Sequence, residues 1–327
     1  MSTRTQSNVF IRLDDLVASN HPYRHFDGLF NFGELSRPLT NLYSHKGRKE
    51  LGAERAFRML VLQFLEDLSD REMERYMLEN NAAKWFCQFD LTAKTPDHSF
   101  FGDFRKRLGT KQLMDIFAIV RGGLKEAGLI REVFTFVDAS HLVSKLSTWS
   151  DRDKAIEKGL ESFNNETASK VAADKQARFG AKGTNKFWYG YKEHTSVDMQ
   201  SGLINKVAAT PANVPDADGL KHVCPDQGAV YADKGYCTKP AQDALRKKGC
   251  HDATLKKNNM KNKNRDKDRW HCGLRSPYER VYSKRDNRMR YRSRAKAQFQ
   301  VAMNALIHNL KRLLKMGVVR VPLPHSG

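Results

Sequence analysis

Val133-Phe134-Thr135-Phe136-Val137-Asp138 and Gly228-Ala229-Val230-Tyr231-Ala232-Asp233 are the stretches whose reading sets the fold. Each is a short run of β-branched, aromatic and small apolar residues, the composition of a buried strand, and each stops at an aspartate. Between them, residues 187–198 and 202–208 read as a hairpin, and Asp216 to Val223 as a helix. Beyond them, Pro240 suits the first turn of a helix that ends at Gly249, and Asp252 to Leu255 reads as a further strand. Helices are then expected at Ser276 to Lys284 and at Arg294 to Lys315. In the last, Phe299, Met303, Leu306, Leu310 and Leu313 step by four and three. Strands alternating with helices indicate an α/β sheet.

Upstream of Val133 the pattern is helical. Phe57, Leu60, Val61, Phe64 and Leu65 make one apolar stripe, and Ser69 with Glu72 fits a capping box opening the next helix. Asp97 and Thr110 are expected to cap two more. The expected organisation is therefore a helical N-terminal domain over 1–130, serving DNA binding or dimerisation, and an α/β domain over 131–315. The latter carries a polar insertion over about 139–186, to which no structure is assigned, and a tail follows over 316–327.

The formal charge of +20 over 327 residues says nothing about fold but points to a polyanionic partner. Between Arg246 and Lys296 stand 19 Lys or Arg against five acids, with Trp270, Tyr278, Tyr282 and Tyr291 interleaved. A solvated face would mix both signs, so this bias reads as a phosphate-contacting surface. The five cysteines form no C-x-x-C pair, which argues against a disulfide framework and a standard zinc site, and reduced thiols fit a cytoplasmic location. No signal core or membrane-length apolar run is present.

Asp138 and Asp233 have two readings: turn formers, or carboxylates held by rigid backbone at a sheet edge, where α/β proteins place their sites. Beside a phosphate-binding surface, carboxylates repel the substrate unless a cation bridges them. Magnesium takes such oxygen ligands, and a pair of ions can serve both the attacking and the leaving oxygen. Glu279, among Arg275, Arg280 and Lys284, reads equally as a helix ion pair or as the third carboxylate.

Six segments in order raise a family resemblance: Thr95-Pro96-Asp97-His98-Ser99 with Phe104-Arg105; Phe136 to Ser140; Tyr189-Gly190-Tyr191-Lys192-Glu193-His194; Thr210-Pro211-Ala212-Asn213 with Asp216; Tyr231-Ala232-Asp233-Lys234-Gly235-Tyr236; and Arg275 to Val281 through Arg290-Tyr291-Arg292. Together they resemble the DDE transposases of bacterial insertion sequences, the insertion sequence 5 group in particular. The resemblance implies an RNase H-like core with a mixed sheet and a catalytic, metal-holding triad of Asp138, Asp233 and Glu279, spaced 95 and 46 residues apart. It implies two Mg2+ ions, with Mn2+ as a substitute, and cleavage of element ends followed by joining of 3′-hydroxyls to target DNA. The expected partners are double-stranded DNA (terminal inverted repeats and target) and a second copy of the chain. The expected location is the bacterial cytoplasm, at the nucleoid. Around the glutamate the family signature has a Tyr and a Lys where this chain has Cys272 and Asp286.

The residues expected to contact DNA are Lys192, Lys234, Arg275, Arg280, Lys284, Arg285, Arg288, Arg290 and Arg292. His194 is either an accessory group near the metals or a satisfied strand histidine. A non-enzymatic DNA-binding repressor or scaffold and a nuclease without strand joining are the competing functions.

Overall fold

The structure, a computed structural model, describes residues 11–42, 51–144, 165, 168, 172–182, 186–260, 264–283 and 287–324. The chain divides into two compact units, Met1–Val120 with Leu313–Gly327, and Arg121–Arg312.

The first unit is helical: α1 Pro22–Leu29, α2 Phe32–Ser36, α3 Ala53–Leu65, α4 Asp70–Glu79, α5 Asn81–Phe86 and α6 His98–Glu126, whose last turns belong to the second unit. Helix α3 is its centre, buried at nearly every position, including Arg58. That guanidinium is tolerated because it pairs with Asp27 at 2.6 Å and Glu54 at 2.8 Å and lies over the Phe32 ring at 4.4 Å. The expected Ser69–Glu72 capping box opens α4. The Thr95-Pro96-Asp97-His98-Ser99 motif is a helix start latched to α4. Asp97 accepts from Ser99 N, His98 Nδ1 lies 2.8 Å from Glu74, and Arg105 pairs with Asp70 at 2.6 Å. The two helices expected over 98–126 meet at Gly109, whose φ of 62° breaks the helical ladder. Residues 316–324 do not form a free tail: Val321 is buried and its N–H donates to Leu29 O.

The second unit is built on one sheet: β1 Phe134–Val143, β2 Arg178–Lys182, β3 Lys186–Asp198, β4 Ile204–Pro211, β5 Ala229–Tyr231 and β6 His251–Asp252. Strands β1, β3 and β4 pair antiparallel, and β5 and β6 continue parallel to β1. The order β4-β3-β1-β5-β6 is the expected RNase H-like mixed sheet. Helices α7 Asp216–Val223, α8 Lys239–Lys247, α9 Arg265–Ser283 and α10 Arg294–Lys315 complete the unit. Helix α10 covers the outer edge of β4: Asn309 pairs with both backbone groups of Ile204, and Gln298 accepts from Ala209 N. An otherwise open edge strand is thereby satisfied.

Three expectations need correction. First, β1 does not stop at Asp138 but runs to Val143, because its ladder with Tyr191, Lys192 and Glu193 of β3 outlasts the apolar run. Second, the region 139–186 is not all irregular. Its described part includes the end of β1 and β2, which pairs with the first half of β3; residues 145–164 lie outside the described residues. Third, α9 starts at Arg265, eleven residues before the expected Ser276. Gly190 shows why Tyr189-Gly190-Tyr191 needs its glycine: φ is 157° and a Cβ would lie 1.9 Å from Leu142 O.

Side-chain alternation gives the sheet two faces. One carries Val137, Ala208, Val230 and Ala232 under α7 and α8, packing with Leu220, Val223, Ala241 and Leu245. The other carries Phe136 and Tyr231 with Met199 and Ala253, and Leu274 and Tyr278 of α9 pack on it. At the amino end of β1, Asp226 gathers Arg121, Lys125, Lys206 and Lys248 within 3.2 Å, and Arg121 and Lys125 also pair with buried Glu132. Burial would raise the Asp226 carboxyl, yet hydrogen bonds from Lys206, Arg121 and Lys125 hold it well below the usual range. Part of the cationic excess is thus used within the fold.

Candidate active site

Asp138 and Asp233 lie two residues beyond Phe136 and Tyr231, which are direct partners on adjacent parallel strands. A two-residue step returns a strand's side chain to the same face, so both aspartates share the face carrying Phe136 and Tyr231. Both are half-buried. Asp138 Oδ1 accepts from Ala139 N at 2.8 Å. Asp233 caps the 3-10 turn Lys234–Tyr236, its Oδ1 accepting from Gly235 N at 2.8 Å.

Helix α9 lies on this face. Its His271 ring meets Tyr231 at 5.2 Å, the Arg275 guanidinium lies 5.8 Å from the Phe136 ring, and Tyr278 tilts its ring against Phe136 at 6.2 Å and donates its hydroxyl to Met199 O. Residues 271, 274, 275 and 278 form one stripe at helical spacing. On the flank beside it, Asp268 accepts from Lys256 N at 3.5 Å. Lys256 follows Leu255, whose N–H donates to Ala232 O, at the level where β5 gives way to Asp233. The Glu279 and Arg280 side chains lie outside what the structure describes, as do Lys284 and Arg285 entirely. Among the described residues, no three His, Cys, Asp or Glu side chains converge on a metal-sized site.

Lys192 and His194 lie elsewhere. Asp138 pairs across the ladder with Thr195, and Ala139 with His194, so His194 and Lys192 are on the opposite face. The register favours the second reading of His194, a satisfied strand histidine, and sets Lys192 on that same face. Lys192 is buried with its ammonium 2.7 Å from Asp216 and 2.9 Å from Val214 O. His194 is fully buried, its Nε2 is 2.8 Å from Thr210 Oγ1, and its ring presses on Gly219 of α7. Burial pushes its pKa down to about 4, against the pull of Asp216. It is a neutral packing residue.

The residue between them was missed by sequence reasoning. Glu193 pairs with Ser140, two positions from Asp138 on the same face, is 2% exposed, and accepts from Thr195 Oγ1 at 3.3 Å. No single-strand signal distinguishes it from its neighbours; only the register does. Of the expected DNA contacts, Lys234 is exposed and donates to Asn258 at 3.1 Å, while Arg275 is buried under α9. Arg288, Arg290 and Arg292 follow on the segment that pairs with the end of β1.

Two aspartates presented on one face of a mixed sheet covered by a helix are compatible with a DDE polynucleotidyl transferase, and the class is shown by family models. Residues 133–310 match the family model described as Transposase DDE domain, and residues 11–107 match that described as Transposase domain (DUF772). The chain belongs to the DDE transposase family, of the insertion-sequence type, and is a DNA transposase. Members of this family generally use divalent metal ions. The cryo-EM structure of the piggyBac transposase synaptic complex with hairpin DNA is similar over 93% of this chain and 77% of that one, at 9% identity and a TM-score of 0.40. No described helix is long and apolar enough to cross a membrane.

Proposed function

We propose that Asp138, Asp233 and Glu279 are the catalytic carboxylates of this transposase and hold a pair of Mg2+ ions, replaceable by Mn2+. The observation carrying this reading is the shared face: two aspartates on neighbouring parallel strands, each two residues past an aromatic that α9 covers. The donor set fits, since Mg2+ takes carboxylate oxygens, and His194 is on the opposite face of the sheet. Bound divalent ions would supply activation of an attacking oxygen and neutralisation of charge on the leaving one.

What the chain itself does follows from its backbone. Strands β1 and β5 fix the spacing of the two aspartates, and the hydrogen bonds from Ala139 and Gly235 N–H orient one oxygen of each. Arg275, buried beside Phe136, places a cation under the same face. Lys234, Arg288, Arg290 and Arg292, with Arg280, Lys284 and Arg285, supply phosphate contacts, and affinity should fall steeply with salt. The reaction is hydrolysis at the ends of an element bounded by terminal inverted repeats, then attack of the freed 3′-hydroxyl on target DNA, by a homodimer of the insertion sequence 5 group acting at the nucleoid.

The test uses Mg2+-dependent nicking and strand joining of a terminal-repeat duplex. Asp138→Asn, Asp233→Asn and Glu279→Gln should each reduce nicking at least about a thousandfold, with DNA affinity held within about threefold. Nicking by any of the three at the wild-type rate removes that residue from the site. Nicking without joining by the wild-type chain would favour a nuclease.

A further inference from the structure

Past the end of β1 the chain forms a cleft of about 350 Å³ lined by Ser144, Met289, Arg290, Tyr291 and Arg292. Its floor is rigid. Val143 donates to Asn287 O at 2.7 Å and accepts from Met289 N at 2.8 Å, while Ser144 N donates to Tyr189 O. Arg290 N donates to Gln300 Oε1 at 2.8 Å, and Gln300 returns a bond to Arg288 O. The backbone that presents the two guanidinium groups is therefore pinned on both sides.

The lining chemistry is that of an anion pocket. Arg290 is half-buried and hydrogen-bonded to the Tyr291 hydroxyl; burial lowers its pKa and the phenol raises it, and a guanidinium stays charged through both. Arg292 is exposed beside it. Helix α10 begins at Arg294, directly after the cleft, and its first N–H groups are taken by Gln176 Oε1 and Ser293 Oγ, so the cleft's charge comes from its two guanidinium groups. The carboxylate on the adjoining backbone, Asp174, is committed to the core: it accepts from the Tyr191 hydroxyl at 2.9 Å and from Gln176 and Ser293 N–H groups.

Ser144 stands six residues beyond Asp138, about 20 Å along an extended strand, or roughly six base-pair steps of duplex. We infer that this cleft grips a single DNA-backbone phosphate about six steps from the bond cut at Asp138, and so sets which phosphodiester reaches the carboxylates. Phosphate contacts fix register without reading sequence. The inference rests on the catalytic reading above and adds a second, spatially separate phosphate site to it.

The experiment is a binding scan with the full chain. Terminal-repeat duplexes carry one neutral methylphosphonate each, moved one phosphate at a time away from the scissile bond, and affinity is read by fluorescence anisotropy at several salt concentrations. Wild type should lose about tenfold at one position, four to eight steps out. Arg290→Gln/Arg292→Gln should bind unmodified DNA about tenfold more weakly, show a salt slope lower by about two, and lack the dip at that position. Tyr291→Phe, which keeps both charges, should retain the dip at reduced depth if the double variant does not fold. A dip that survives in the folded double variant, or a wild-type scan with none beyond the phosphates flanking the scissile bond, overturns the inference. Asp138→Asn keeps the dip whatever it does to nicking, so failure of the catalytic reading is seen in cleavage alone and failure of this pocket in the scan alone.

Discussion

Lys192, Glu193 and His194 are consecutive in β3, yet only Glu193 shares a face with Asp138, while Lys192 and His194 are buried against Asp216 and Gly219 of α7. The two faces of one sheet thus hold polar residues for different ends. Under α7 and α8 they are paired and desolvated, and their worth is stability. On the face under α9, Asp138 and Asp233 are half-buried and Glu193 is buried, each accepting a hydrogen bond from within the fold. Chemical type alone did not separate them: a lysine and a histidine look more functional than a glutamate flanked by both.

The sharpest way to break this contrast is to substitute one residue on each face. Asp138→Asn should cost nicking at least about a thousandfold and leave urea unfolding nearly unchanged, whereas His194→Gln should retain nicking within about tenfold and lower stability. A histidine variant that folds normally and loses nicking as severely as Asp138→Asn would erase the distinction.

Next in size is a pH effect on stability. His194 has a folded pKa of about 4, below its unfolded value of about 6.5, so the unfolded chain binds a proton first as pH falls. Its contribution is complete above about pH 6.5, declines by about 1.4 kcal/mol per pH unit, and levels off below about pH 4, a loss of about 3 kcal/mol. Urea unfolding between pH 7 and pH 4.5 should show this slope in wild type and a shallower one in His194→Gln. Equal slopes would mean that the imidazole is not buried neutral.

Gly219→Ala comes third. Its Cβ would lie 2.1 Å from His194 Cε1, so α7 must shift, at about 1–3 kcal/mol of stability, with kcat for nicking little changed. The smallest effect is expected at Lys192. Its partner Asp216 is 40% exposed, so Lys192→Met should cost only about 1 kcal/mol and leave the salt slope of DNA binding unaltered. A slope lowered by about one would instead mark a phosphate contact.

Much of the frame was legible because it rests on local signals. The apolar runs before Asp138 and Asp233, the capping box at Ser69, and the four-three stepping of Arg294 to Lys315 each report an element through its own residues. What failed to show lacked such a signal. The second half of β1 reads as polar because Ser140 and His141 follow the aspartate, and it is a strand only through its pairing with β3. The start of α9, Arg265 to Arg269, is charged throughout, and the helix lies on the sheet because His271, Leu274 and Arg275 find Tyr231 and Phe136 beneath them.

Sequence alone determined that two buried strands end their apolar runs at aspartates, that helices alternate with them, and that cations crowd the region around Glu279, since composition and periodicity are properties of neighbouring residues. Which side each residue of β3 faces relative to Asp138 was decided only in the folded sheet. A one-residue slip in register inverts every side chain, and register is a relation between strands far apart in the chain.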